Sequence, residues 1–345
     1  MNNPRIGLAL GSGSARGLSH IGIINALNEI GIHPHIVCGC SVGAMVGGAY
    51  AADHLDKLEA WVRNLTRTDV LRFFDISLTS GGVILGDRLT NVFREYVGDV
   101  TIESLSIPFC AVATELSTGR EIWFRDGFLL DAIRASISLP GLFAPVLLDE
   151  RWLVDGGLVN PVPVSTCRAM GADVVIAVNL NGGLVGRHLS SQQVTAVETT
   201  PDATSSELFS TMTKKIRRSL KNSVDSLIAQ LWQDESDRPG LFDVMASSIN
   251  IMQDRITRSR MAGDPPDIVL APQLDHIGLL EVYRAAEAIE EGIQCVQRAH
   301  QALCEIIPGV CSPSPEGKPD NQLPTTEPGK QKSRVKKNTA TPDDV

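Results

Sequence analysis

The sequence has no excess of positive charge. Its 31 Lys and Arg stand against 40 Asp and Glu, a formal net charge of −9, so no global field attracts a phosphate backbone and nucleic-acid binding is disfavoured. It has no CxxC pair either. The seven cysteines, at positions 38, 40, 110, 167, 295, 304 and 311, are odd in number and scattered, which argues against a disulfide framework or a thiolate zinc site and fits a reducing cytoplasm. The opening ten residues lack the charged leader, long apolar stretch and cleavage site of a signal peptide. The longest uncharged run, residues 36–52, contains 17 residues, four of them glycine, short of the ~20 mostly apolar residues that span a bilayer. These absences predict a cytoplasmic chain without a spanning helix, a metal site or a nucleic-acid partner.

What is present is an apolar fraction of 43% and 30 glycines, enough for a large core and more glycine than a usual chain carries. From residue 5 to about 180, short β-branched runs alternate with helical periodicity, the pattern of an α/β protein with a parallel or mixed sheet. Strands are predicted at 5–10, 36–38, 109–114, 121–124, 152–154, 174–178 and 268–271. Helices are predicted at 18–30, 42–52, 56–65, 87–97, 128–136, 163–170, 242–260 and 279–306. Residues 181–206 lose periodicity and read as a long surface loop.

Residues 207–233 place Leu208, Met212, Ile216, Leu220, Val224, Leu227 and Leu231 on one helical stripe, with Lys214, Lys215, Arg217, Arg218 and Lys221 mostly off it. Two readings fit: a helix lying on an anionic lipid surface or, the plainer one, a core-packed helix with a solvated basic face. Residues 312–345 hold six of the 19 prolines and almost no apolar residue, and are predicted to be disordered. The expected organisation is one domain over 5–311, with catalytic motifs in 5–180 and a helical extension over 207–306, followed by that tail.

Three glycine clusters follow predicted strands: residues 11–17, Gly39-Cys40-Ser41-Val42-Gly43, and Asp155-Gly156-Gly157. Ligands bind at the carboxyl ends of strands in such sheets, so three clusters there can converge on one site. The first lacks the third glycine of a dinucleotide fingerprint, since Arg16 stands in its place, and no Gly-Lys-Ser/Thr closes it as a phosphate loop. It remains a turn whose N–H groups lead into a helix, a general anion receptor, with Arg16 as a fixed charge or a clamp.

The second cluster fits G-x-S-x-G between a strand and a helix. Such a sharp turn holds a serine hydroxyl out of the sheet, and it needs small residues on both sides because backbone crowds backbone. Ser41 is therefore the candidate nucleophile, with Gly39 and Gly43 permitting the elbow. A serine near neutral pH also needs a base and donors for the oxyanion. None of the seven histidines has a recognisable catalytic context, and His20, on the first turn of a helix, reads as structural. Asp155, at a strand end and freed by two glycines, is the other candidate base. Cys40 reads as a small buried side chain.

Taken together these residues resemble the patatin-like phospholipases, in particular the bacterial branch related to neuropathy target esterase. Four blocks match in order: the loop 11–17, Gly39 to Gly43, Arg134-Ala-Ser-Ile-Ser-Leu-Pro-Gly-Leu-Phe-Ala-Pro145, and Asp155 to Gly157. Residues 260–268 are similar to that bacterial branch as well. The resemblance implies a three-layer α/β/α sandwich with a central, mostly parallel sheet. It also implies a Ser41 and Asp155 dyad, an oxyanion hole of backbone N–H groups among Gly11, Ser12, Gly13, Ser14, Arg16 and Gly17, and lipid esters cleaved through an acyl-enzyme without metal or cofactor. Ser12 and Ser14 depart from the run of glycines many members have, and Gly157 from a more usual alanine. A dyad of this kind carries a physical demand, since an exposed aspartate with a pKa of ~3.9 is a poor base. The expected protein is thus a serine lipid acyl hydrolase, touching membranes peripherally through exposed apolar residues or the 207–233 helix. The alternatives are a regulatory or adaptor protein on the same fold and an acyltransferase using the same nucleophile.

Overall fold

Runs such as Ile6–Leu10 and Ile36–Cys40 are apolar or small at every position and buried at every position. That is the requirement for a parallel strand covered on both faces. The structure is a computed structural model that describes residues 4–73, 82–84, 86–182 and 241–307. Most of the predicted loop 181–206, the amphipathic segment 207–233 and the tail 312–345 lie outside the described residues.

The described strands are β1 (Ile6–Leu10), β2 (Ile36–Cys40), β3 (Gly82–Ile84), β4 (Phe109–Glu115), β5 (Glu121–Phe124), β6 (Gly141–Phe143), β7 (Val146–Leu148), β8 (Arg151–Asp155), β9 (Val174–Val178) and β10 (Ile268–Leu270). The helices are α1 (Ser19–Glu29), α2 (Val42–Ala51), α3 (Leu55–Arg63), α4 (Arg67–Phe73), α5 (Asp87–Val97), α6 (Leu129–Ser136), α7 (Val164–Ala169), α8 (Leu241–Gly263) and α9 (Ala285–Ile306). The main sheet runs β10-β9-β1-β2-β4-β8-β7, with β5 also on β4. From β10 to β4 every pairing is parallel, whereas β5, β8 and β7 are antiparallel additions.

Side chains leave the sheet alternately, which makes three layers. Leu8, Leu10, Val37, Phe109 and Val178 pack with α1, α2, α3, α6 and α9 in the larger core. Ala9, Ile36, Cys38, Cys110 and Ala177 pack on the opposite side with Val164 and Cys167 of α7. The architecture is the expected α/β sandwich with a mostly parallel sheet. Among the described residues no helix is long and apolar enough to cross a membrane.

One pairing pattern sets up the site. β4 is paired on one edge by β5 over 111–114. Its other edge is shared: β2 occupies 109–112 and β8 occupies 113–115. Because β2 runs parallel to β4 and β8 antiparallel, their carboxyl ends meet head to head, with Cys40 opposite Val112 and Asp155 opposite Ala113.

Two expectations change. The closing helix begins at Ala285 rather than 279; Leu279 lies in a turn ahead of it, and its carbonyl accepts the Ala15 N–H at 3.2 Å. Cys304 is disulfide-bonded, where the odd, scattered cysteines argue against a disulfide framework, while cysteines 38, 40, 110, 167 and 295 are free and buried.

Candidate active site

Ser41 sits between β2 and α2 with φ 58° and ψ −126°, a backbone region that costs a non-glycine residue on the order of 1–3 kcal/mol. The surroundings hold it there. Its N–H donates to Ser136 Oγ at 2.8 Å, and Ser136 Oγ donates to the Val112 carbonyl at 2.6 Å, so a hydroxyl from the end of α6 bridges the strands where their ladder stops. The crowding expected of an elbow is present: a Cβ at Gly43 would lie 2.2 Å from the Leu10 carbonyl oxygen, and one at Gly39 2.4 Å from that of Gly43. The first N–H groups of α2 have no intrahelical acceptor and put the positive end of the helix beside the hydroxyl.

Asp155, at the end of β8, is fully buried. Its N–H donates to the Ser138 carbonyl at 2.9 Å, its carbonyl accepts from Thr114 Oγ1 at 2.9 Å, and its Oδ1 accepts from Gly157 N–H at 2.7 Å. Burial pushes its carboxyl up to about 6, against the opposing pull of the Ser41 hydroxyl and the Gly157 N–H. Yet Oδ2 has no hydrogen-bond partner within ordinary limits, so Ser41 is close enough to act electrostatically without a closed hydrogen bond. Catalytic contacts are commonly loose before substrate binds. The demand the sequence raised, an aspartate of strengthened basicity, is met by desolvation.

The same turn pins both side chains. Ser136 holds the Ser41 N–H, the Ser138 carbonyl holds the Asp155 N–H, and Ser138 Oγ accepts from Arg134 Nη1 at 2.7 Å. Arg134 also donates to the Ala144 carbonyl at 3.1 Å, tying the turn to the strand that follows. Nothing in the sequence motif assigns Ser136 or Ser138 work; their position two residues apart at a helix end is the available signal.

The glycine loop lies after β1. Its first two donors are engaged: Gly11 N–H on the Val178 carbonyl at 3.2 Å and Ser12 N–H on the Pro161 carbonyl at 2.8 Å. Among the described residues the N–H groups of Gly13 and Ser14 have no such acceptor, and Ser14 has φ 50°. Gly17 abuts the elbow helix, where a Cβ would fall 1.8 Å from Val42 Cγ1. Arg16 is a clamp: buried, it donates through Nε to the Gly13 carbonyl at 3.3 Å and through Nη2 to Asn250 Oδ1 at 3.2 Å. Burial lowers it to about 10, with Asp275 pulling the other way, so it stays charged at neutral pH.

His20 is not placed as a base. Its Nε2 is 2.8 Å from the Gly11 carbonyl oxygen, and burial holds it down at about 4, a neutral ring fastening the loop. Cys40 is buried 4.0 Å from Asp155 Oδ1, and its thiol is pushed up by that burial first and by the carboxylate second. Among the described residues no cluster of three or more His, Cys, Asp or Glu is placed to hold a metal ion.

Ser41 opens on a cavity of about 130 Å³ whose other walls include Leu18, Met45, Trp61, Leu89, Leu139, Phe143 and Leu279. That is roughly ten times what one water needs. Among the described residues Ser14 and Ser41 bring the only hydroxyls to its wall, so the cavity suits an unbranched apolar chain with its polar end at Ser41.

A family model described as patatin-like phospholipase matches residues 8–168. An uncharacterized NTE family protein of Mycobacterium tuberculosis is 35% identical over 340 residues, covering 88% of this chain and 93% of that one. Lysophospholipase nte1 of Emericella nidulans is 34% identical over 180 residues, 51% of this chain and 12% of that one. Neuropathy target esterase sws of Drosophila melanogaster is 31% identical over 182 residues, 51% and 13% of the two chains.

Proposed function

Because the chain belongs to the patatin-like phospholipase family, in the branch that includes the NTE family proteins, we propose that it hydrolyses lipid acyl esters through a Ser41 and Asp155 dyad and an acyl-enzyme. The observation that carries this reading is the buried carboxylate of Asp155, raised to about 6, set against a serine in a strained elbow at the wall of an apolar cavity. At neutral pH Asp155 remains mostly ionised yet is a far better base than an exposed aspartate.

In the first half-reaction Ser41 Oγ attacks the ester carbonyl carbon and its proton passes to Asp155 Oδ2. The negative charge that develops on the carbonyl oxygen meets the N–H groups of Gly13 and Ser14, which have no acceptor among the described residues. Collapse breaks the bond to the alcohol, which leaves with the proton from Asp155. The acyl chain occupies the apolar cavity. The relatives named lysophospholipase and neuropathy target esterase make a lysophospholipid or a similar single-chain ester the first substrate to try.

Such substrates are presented at lipid surfaces, and a row of exposed apolar side chains supports peripheral contact there. Leu147 and Trp152 are cross-strand partners, and Leu116 donates its N–H to the Trp152 carbonyl; all three are more than half exposed. Leu147 follows the cavity residue Phe143 by one short stretch of chain. The deciding experiment is labelling with a fluorophosphonate and turnover on a lysophospholipid panel. Wild type should label and release fatty acid, and Ser41→Ala should do neither; activity persisting in Ser41→Ala refutes the dyad.

A further inference from the structure

The helix α8 turns a polar face to the site. Asn250, Gln253, Asp254 and Thr257 recur at steps of three and four, which places them on one side, and Gln253, Asp254 and Thr257 are no more than 3% exposed. A helix ordinarily turns apolar residues inward. Here the inward groups meet the segments that follow β1 and β9: Asn250 Oδ1 accepts from Arg16, and Gln253 Oε1 accepts from Asn181 Nδ2 at 2.9 Å. Arg16 Nη1, Asn181 Oδ1, Asp254 Oδ1, Thr257 Oγ1 and Asp155 Oδ2 are buried beside this face without a hydrogen-bond partner. A buried polar atom left bare is costly, and bridging water is the ordinary partner of such atoms.

The bond from Asn181 fixes the Gln253 amide, with Oε1 spoken for and Nε2 turned to Gly157. A Cβ on Gly157 would lie 2.3 Å from Gln253 Nε2 and 2.9 Å from Asp155 Oδ1. Amide and carboxylate therefore both stand against Gly157 and are at most about 5 Å apart, a gap that one water hydrogen-bonded to each can bridge. We propose that Gln253, oriented by Asn181, holds the water that hydrolyses the acyl-enzyme against Asp155. This rests on the reading of Ser41 as nucleophile and Asp155 as base. Neither Gln253 nor Asn181 lies within the residues the family model matches.

In the step so assisted, the water oxygen attacks the acyl carbonyl carbon and its proton passes to the Asp155 carboxylate. The tetrahedral intermediate then collapses, the bond from that carbon to Ser41 Oγ breaks, and Ser41 Oγ takes the proton back from Asp155. The fatty acid departs, and serine and carboxylate are restored.

The test separates the two half-reactions in the full-length chain carrying Gln253→Met or Asn181→Leu, with a p-nitrophenyl ester as probe. Phosphonylation consumes no water, so fluorophosphonate labelling should stay within about two-fold of wild type. Nitrophenol release should show a burst of about one equivalent followed by turnover about ten-fold or more slower, and hydroxylamine, which brings its own nucleophile, should restore it. Labelling and turnover falling together, or neither changing, overturns the proposal. Should a variant not fold, a crystal structure of phosphonylated wild type decides: a water bonded to both Gln253 Nε2 and Asp155 is expected, and any other group there overturns it. Wild type that does not label at all would instead refute the Ser41 reading.

Discussion

Asp155→Asn should abolish turnover and, above the acid range, make the protein more stable. The carboxyl rises from 3.8 to about 6 on folding because burial disfavours its charged form. Between those values the folded state binds more protons than the unfolded state, so this group makes stability fall as pH rises, by ~3 kcal/mol once both values are passed. Asparagine has no charge to bury. Its Oδ1 can still accept from Gly157, and its amide nitrogen can donate to Ser41. His20 works in the opposite sense: held down at about 4 from 6.5, it stays neutral when folded, so its contribution of similar size is lost as pH falls through that range. Wild-type stability alone therefore mixes two opposing slopes. The difference between Asp155→Asn and wild type cancels His20 and isolates Asp155. Measured by urea unfolding, that difference should grow in favour of the variant by ~2 kcal/mol between about pH 4.5 and about pH 7.5. A difference that is the same at both pH values refutes a raised Asp155 and, with it, desolvation as the source of its basicity.

If Asp155 is the base, as proposed, kcat/KM should fall on the acid side with a midpoint at about 6, and a midpoint near 3.8 would mean that water reaches Asp155. Ser136→Ala leaves the Ser41 N–H and the Val112 carbonyl without their bridge, at ~1–3 kcal/mol for each group left bare; the melting temperature should drop and fluorophosphonate labelling should slow, and an unchanged melting temperature would show that the bridge does not support the elbow. Replacing Leu147 and Trp152 together by serine should cut turnover of lysophospholipid held in vesicles several-fold while sparing a soluble short-chain ester. Equal losses on both substrates would remove the apolar row from lipid contact.

The strands that run straight through the core were legible because burial on both faces demands unbroken apolar runs. β5 and β9 match their predicted limits, and β1, β2 and β4 differ by one or two residues. β6 and β7 were not legible, being three residues each on either side of Pro145, with no room for periodicity to show. α4 and β3 were missed for the same want of length. Leu279 and Leu280 continued a helical pattern in the sequence, but the structure spends them on the cavity wall, a tertiary demand overriding local preference.

At the site, Ser41 and Asp155 could each be read from their own turn, but their meeting could not. It depends on β2 and β8 sharing one edge of β4 from opposite directions, a fact about strand pairing that neither turn contains. The proposed oxyanion donors follow the same logic. Residues 11–17 look alike in the sequence as a supply of N–H groups, yet the Val178 and Pro161 carbonyls, distant in the chain, consume the first two and leave Gly13 and Ser14. Gln253 carries this furthest, for it sits in an ordinary helix with no motif around it, and only the fold brings its amide to the carboxylate. A short motif can name the group that attacks because a strained turn needs particular residues locally. The groups that bind the developing charge and hold the water are selected by what remains unpaired after packing, so they emerge only once every long-range hydrogen bond has been assigned.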